Sequence, residues 1–205
     1  DNAEIHNNLG TALMGLRQFS VATKHFRRAV EIRPDFAAAY NNLGNALLDQ
    51  DDFRSLYDEA ENCYRTALQH APDMVDAHFN LGICLQPQGK YPQALECFQR
   101  TLELKPDHHS AAASMAAIFE HQGEFESAQE ILLPLVESGT QDANVILSYA
   151  ALAPHIDKHD DAVSSLERLL ETDMETSKRV TAHFMLGKLY DQAGDYDRAF
   201  ANYQQ

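Results

Sequence analysis

Tryptophan is absent from this 205-residue chain, cysteine occurs only three times, and Lys and Arg number 16 against 31 Asp and Glu. Each shortage excludes something. A formal charge of −15 argues against nucleic acid or an anionic membrane surface as the main partner, because both demand positive potential. The acidic balance names no partner by itself. No apolar run approaches the ~18 to 20 residues that span a bilayer, and no signal-peptide pattern opens the chain. A cytoplasmic protein with no membrane contact is the expectation.

The cysteines, Cys63, Cys84 and Cys97, form no metal or redox spacing, and Cys63 and Cys97 hold the same place in successive structural units, where a small apolar residue suits a core. His155 and His159 stand four apart beside Asp160 and Asp161. Pro154 and Asp157 make that stretch read as a turn, and no second ligand cluster accompanies it, so no metal is expected. His108 and His109 fall at a unit junction and are expected in solvent. The chain has no phosphate-cradling glycine loop, nucleophile elbow or paired-acid signature. No catalytic residue and no cofactor are expected within these residues, and the chain reads as a non-enzyme.

Small residues recur instead. Gly10, Gly44, Gly82, Ala116, Ala150 and Gly187 are spaced by 34, 38, 34, 34 and 37 residues, and twelve residues after each stands an alanine (Ala22, Ala94, Ala128, Ala162, Ala199), or sixteen in the case of Ala60. A fixed period of this length marks a repeat architecture. Around Gly10, the apolar residues Ile5, Leu9, Ala12, Leu13 and Leu16 follow helical spacing, and from Phe19 onward Ala22, Phe26, Ala29, Val30 and Ile32 do so again. Each unit is therefore two helices, and the small landmarks fit where helix axes cross closely. Pro34, Pro72 and Pro106 are placed to close second helices.

This pattern resembles the tetratricopeptide repeat. The clearest copies are residues 3–36, with Leu9-Gly10, Phe19, Ala22, Phe26, Ala29 and Pro34, and residues 75–108, with Leu81-Gly82, Gly89, Tyr91, Ala94, Phe98 and Pro106. The resemblance implies an all-α fold, an alpha-alpha superhelix in which residues 1–205 form a single solenoid domain. Its repeats fall at about 3–36, 37–74, 75–108, 109–142, 143–176 and a truncated 180–205. The family's usual tryptophan is replaced by His6, Tyr40, His78, Ala112, Ile146 and His183, and the fourth and fifth units lack the closing proline.

Five irregularities are expected. The four extra residues between Gly44 and Ala60, in segment 50–59, should lengthen a helix or a turn. The three extra residues between Ala162 and Gly187 should give a longer, more mobile connection near 172–179. Pro134 should kink or shorten the second helix of unit four, and Pro154 should end the first helix of unit five early. Residues 138–142 read as a loop rather than a tight turn. The chain begins without methionine and stops inside a second helix, so a piece of a longer protein is expected, with weak self-association through the uncovered face of Ala199, Phe200 and Tyr203.

In such repeats the first helices line a concave groove, where the resemblance places peptide or protein binding. The sixth place of each unit holds Asn8, Asn42, Asn80, Ser114, Ser148 and Met185, and Asn7, Asn41 and Asn45 flank the row. An asparagine amide donates and accepts together, so a row of them can hold an extended chain independently of its side chains. The same residues could equally bond a neighbouring helix. A comparable asparagine row marks the repeats of O-linked N-acetylglucosamine transferases, and residues 182–188 and 195–201 look like the repeats preceding the catalytic domain in bacterial tetratricopeptide sulfotransferases. Either likeness implies a non-catalytic, substrate-recruiting arm. Capture of a chaperone's terminal carboxylate is not expected, because the places its cations need hold Asn7, Asn41, Asp76, Ser110 and Ser114. Phe79, Ile83, Ala113, Ala117, Leu147 and Ala151 make the middle of the groove apolar, with Lys188 nearly its sole cation. The candidate peptide-binding set is Asn7, Asn8, Asn41, Asn42, Asn45, Phe79, Asn80, Ile83 and Ser114.

Overall fold

The computed structural model describes residues 2–49 and 53–205, which are all-α: twelve α-helices and no strand among the described residues. The helices fall into two compact units, Asp1–Asp107 and His108–Gln205, with three helix pairs in each. The first unit holds α1 (Ala3–Gly15) with α2 (Phe19–Ile32), α3 (Ala37–Leu48) with α4 (Phe53–His70), and α5 (Val75–Leu85) with α6 (Tyr91–Leu104), α5 being extended by a 3-10 turn over Gln86–Gln88. The second holds α7 (His109–Gln122) with α8 (Phe125–Glu137), α9 (Ala143–Ile156) with α10 (His159–Leu170), and α11 (Thr176–Gln192) with α12 (Tyr196–Tyr203). Within each unit every second helix packs on the first helix that follows it, and first helices also touch in sequence, α1 on α3 on α5 and α7 on α9 on α11.

The landmarks explain the pairing. All six landmark alanines of the second helices are buried. One turn after each, at the same place in every unit, come Phe26, Tyr64, Phe98, Leu132, Leu166 and Tyr203, and the four aromatic ones face the glycine landmarks. A methyl group added at Gly10, Gly44 or Gly82 would lie 2.6 Å from the ring of Phe26, Tyr64 or Phe98, and Gly187 faces Tyr203 in the same way. Alanine stands at the first landmark only in units four and five, where the residue at the equivalent place of the second helix is a buried leucine, Leu132 or Leu166. The choice of glycine or alanine is thus set by the volume of its partner across the pair.

Pro34, Pro72 and Pro106 follow second helices that end at Ile32, His70 and Leu104, as the spacing predicts. The two internal prolines behave differently. Helix α8 runs through Pro134 to Glu137, and α9 runs through Pro154 to Ile156, so neither is cut short. Both prolines are exposed and lie in the last turns, where each removes one donor while the buried residues around it hold the helix: Leu132 and Val136 in α8, Leu152 and Ala153 in α9. Helix α9 ends instead at Asp157, which is left-handed at φ 51°.

The expected insertions also resolve into helix. Helix α4 has 18 residues against 14 in α2 and α6, so the part of the first insertion from residue 53 onward lengthens a helix; residues 50–52 lie outside the described residues. The second insertion does not lengthen the connection. Only residues 171–175 separate α10 from α11, and the extra length goes into α11, which has 17 residues. Arg179 ties that connection down, donating to the carbonyl oxygens of Leu170 (3.2 Å) and Thr172 (2.9 Å). Residues 138–142 form a loop, with Gly139 left-handed at φ 80° and the Asp142 side chain capping α9 by accepting from the N–H groups of Asn144 and Val145. The two histidines at the start of α7 are not in open solvent: His108 is half-buried and caps α7 by accepting from the Ala111 N–H, and His109 lies 3.7 Å from Asp142.

Candidate functional site

The candidate residues of the first unit share its row of first helices. Asn7 and Asn8 stand on α1, Asn41, Asn42 and Asn45 on α3, and Phe79, Asn80 and Ile83 on α5; Ser114 stands on α7, in the other unit. The asparagines form a ladder. The amide of Asn42 donates to Asn7 Oδ1 at 3.0 Å, and the amide of Asn80 donates to Asn41 Oδ1, also at 3.0 Å. The same step repeats from helix to helix: the sixth-place asparagine of one pair reaches back to the fifth-place asparagine of the pair before. Asn41 is buried, and Asn45 Oδ1 accepts from the Tyr64 hydroxyl at 2.7 Å.

The row therefore has a structural use, which fixes its orientation. An amide offers two donor hydrogens and two acceptor lone pairs, so Asn42 and Asn80 keep their carbonyl oxygens and one N–H each after the ladder is made. Asn8, exposed on α1, makes no side-chain hydrogen bond among the described residues. Beside these amides lie two apolar groups: the half-buried Phe79, tilted against Phe98 with ring centroids 5.9 Å apart, and the exposed Ile83. The fifth unit-to-unit place turns from asparagine to Phe79 and then Ala113, so the ladder stops at α5.

In the second unit the first helices carry an apolar cleft of about 560 Å3, whose lining includes Glu120, Ala151, His155, Phe184, Met185 and Lys188. The Lys188 ammonium lies 4.9 Å from the centre of the Phe184 ring, a cation–π contact. His155 does not face a metal cluster: its ring stacks on Phe125 at 4.0 Å. Among the described residues no group of three or more His, Cys, Asp or Glu side chains could hold a metal ion. The cysteines are free thiols, and burial pushes Cys63 and Cys84 up to about 12 and Cys97 up to about 11. Cys63 and Cys84 are buried and Cys97 is half-buried, and the shift disfavours the thiolate form in all three.

Two contacts invisible in the residue pattern tie the first unit together: Glu61 on α4 accepts from Lys90 at 2.7 Å, and Arg27 on α2 pairs with Glu59 on α4 at 2.7 Å. Glu61 also accepts from Arg65 within α4, at 2.9 Å. No helix among the described residues is long and apolar enough to cross a membrane.

Helix pairs with a small residue in the first helix, an alanine in the second and a closing proline define a tetratricopeptide repeat protein. Comparison with protein families agrees. A tetratricopeptide repeat model matches residues 18–51, and the model of the middle TPR-like domain of cilia and flagella-associated protein 70 matches residues 46–205. The chain belongs to that family. The Candida albicans peroxisomal targeting signal receptor is 35% identical over 82 residues, which are 40% of this chain and 13% of that protein. Tetratricopeptide repeat protein 8 of Caenorhabditis elegans is 35% identical over 89 residues, 42% of this chain and 17% of its own length. The chain thus spans a small fraction of these eukaryotic relatives. PilF of Pseudomonas aeruginosa shares the fold with a TM-score of 0.81 at 17% identity, over 98% of this chain and 88% of that one. YrrB, a TPR protein described as having an unusual peptide-binding site, shares it at 0.64 and 18% identity, over 86% and 88%.

Proposed function

We propose that this chain is a protein-interaction scaffold whose first unit holds an extended peptide along α1, α3 and α5. The TPR fold supports the scaffold role, and peptide binding by YrrB is consistent with it. The observation that carries the finer reading is the ladder: its bonds hold the amides of Asn42 and Asn80 in fixed orientations, so a peptide meets donors and acceptors already ordered and loses less entropy on binding. Asn8 extends the set, while Phe79 and Ile83 supply apolar contact for alternate side chains of an extended ligand.

The ladder complicates the obvious variants, because Asn42→Ala and Asn80→Ala remove structural bonds as well as ligand contacts. Asn8→Ala and Ile83→Ser alter groups that the fold does not use. Screening wild type and these two variants against a peptide array should show binding by the wild type and its loss in both variants at unchanged melting temperature. Equal binding by all three proteins would sink the reading.

A recruiting arm of a larger transferase would use the same groove; the asparagine row favours a glycosyltransferase, and residues 182–188 with 195–201 favour a sulfotransferase. Sequencing the gene beyond the codon for Gln205 tests it: a catalytic domain supports the arm, and a stop codon removes it.

A further inference from the structure

The first and last helices of the chain leave apolar side chains uncovered at places that are covered in other pairs. Within each unit a first helix receives the second helix before it, a contact made four times: α2 on α3, α4 on α5, α8 on α9 and α10 on α11. In α3, Ala39, Leu43, Ala46 and Leu47 are all buried, and so are the same four places of α5, α9 and α11. In α1 those places hold Ile5, Leu9, Ala12 and Leu13. Ile5 is 64% exposed and Leu9 44%, Ala12 is exposed, and Leu13 is only half-buried. Helix α1 packs on its own partner and on the following first helix, whereas α11 is buried at these places with no first helix after it among the described residues. The cover that α1 lacks is therefore that of a preceding pair.

Helix α12 is uncovered in the opposite sense. Of the face expected to associate, Ala199 is buried inside its own pair, but Tyr203 is 46% exposed where Phe26, Tyr64, Leu132 and Leu166 are fully buried. Phe200 is 64% exposed, while Thr23 at the same place of α2 is buried and Val163 on α10 half-buried. Tyr196 is 70% exposed, and its equivalents Phe19, Tyr57, Phe125 and His159 are half-buried. Each of α2, α4, α8 and α10 has a first helix packed after it; that is the cover α12 lacks.

We infer that copies of this chain associate head to tail, the α12 face of one seated on the α1 face of the next, in the contact that joins successive pairs inside the chain. The two faces are the two halves of one interface, so a second copy supplies what each of them lacks. Neither face carries a charge at these places, and Val145 on α9 shows that a branched side chain fits where Ile5 stands. Burial of the exposed apolar area drives the association. The charge of −15 on each copy opposes it, so association strengthens as salt screens the repulsion. The contact is heterologous, since a copy covered at α1 still presents α12.

Sedimentation velocity of the whole chain across a wide range of concentration tests this, together with Ile5→Glu and Phe200→Glu. Each variant places a charge on one face at an exposed position and should leave the melting temperature unchanged. Wild type should gain mass with concentration, and more steeply at high salt. Each variant alone should associate at least about tenfold more weakly. An equimolar mixture of the two should recover association but stop at a dimer, because Ile5→Glu keeps a sound α12 and Phe200→Glu a sound α1. A wild type that stays monomeric at every concentration would overturn the inference and leave both faces to other partners. So would a variant that associates like wild type, which marks a face pairing with its own kind, or a mixture no heavier than either variant alone.

Discussion

A ring packed flat against a glycine leaves no room for a methyl group, and that exclusion sets the first landmark of four helix pairs. Gly82→Ala should therefore destabilise the chain by about 1–3 kcal/mol, even though alanine is the better helix former. Adding Phe98→Leu should recover much of the loss, because the double variant reproduces the Ala116–Leu132 and Ala150–Leu166 pairs that the protein already contains. Urea denaturation of the two single variants and the double measures the coupling directly. A second residue-scale effect is electrostatic. Burial alone would raise the pKa of Glu61, but its hydrogen bonds from Lys90 and Arg65 outweigh that and hold it below the ordinary 4.5. A carboxylate depressed on folding contributes stability that is complete above its unfolded value and is lost as pH falls through its folded value. Glu61→Gln should accordingly lower the urea midpoint at pH 7 and have less effect at pH 3.

At the scale of elements, backbone geometry decides more than residue type. Asp157 ends α9 with a left-handed φ of 51°, which a side chain tolerates poorly, so Asp157→Gly should stabilise the chain by about 0.5–1 kcal/mol, read as a rise in melting temperature. The helix count, the paired landmarks and the closing of second helices at Pro34, Pro72 and Pro106 were all legible, because periodic apolar spacing and a missing N–H act locally. The shortening expected at Pro134 and the early end expected at Pro154 do not occur, because one lost hydrogen bond in a last turn is outweighed by packing from neighbouring helices, which residue spacing does not reveal. The three residues inserted before Gly187 were visible as a number but not as a place: a helix extended by almost a turn and a longer loop have the same length in sequence. The asparagine row was legible as a row, while its ladder depended on the register between α1, α3 and α5.

For the molecule as a whole, the net charge of −15 should govern how fast a ligand arrives more than how tightly it stays. Cationic peptides should associate faster than neutral ones of the same backbone length, with a difference that shrinks as salt rises, while dissociation rates change little; stopped-flow mixing at several ionic strengths reads this. In the function proposed here the acidic field steers a peptide and the fixed amides of the first unit hold it. Hydrogen exchange of the whole chain, with and without a peptide selected from the array, locates it most directly. Slowed exchange along α1, α3 and α5 in wild type, lost in Asn8→Ala, is the expected result. Protection confined to other helices, or protection that survives the substitution unchanged, would contradict it.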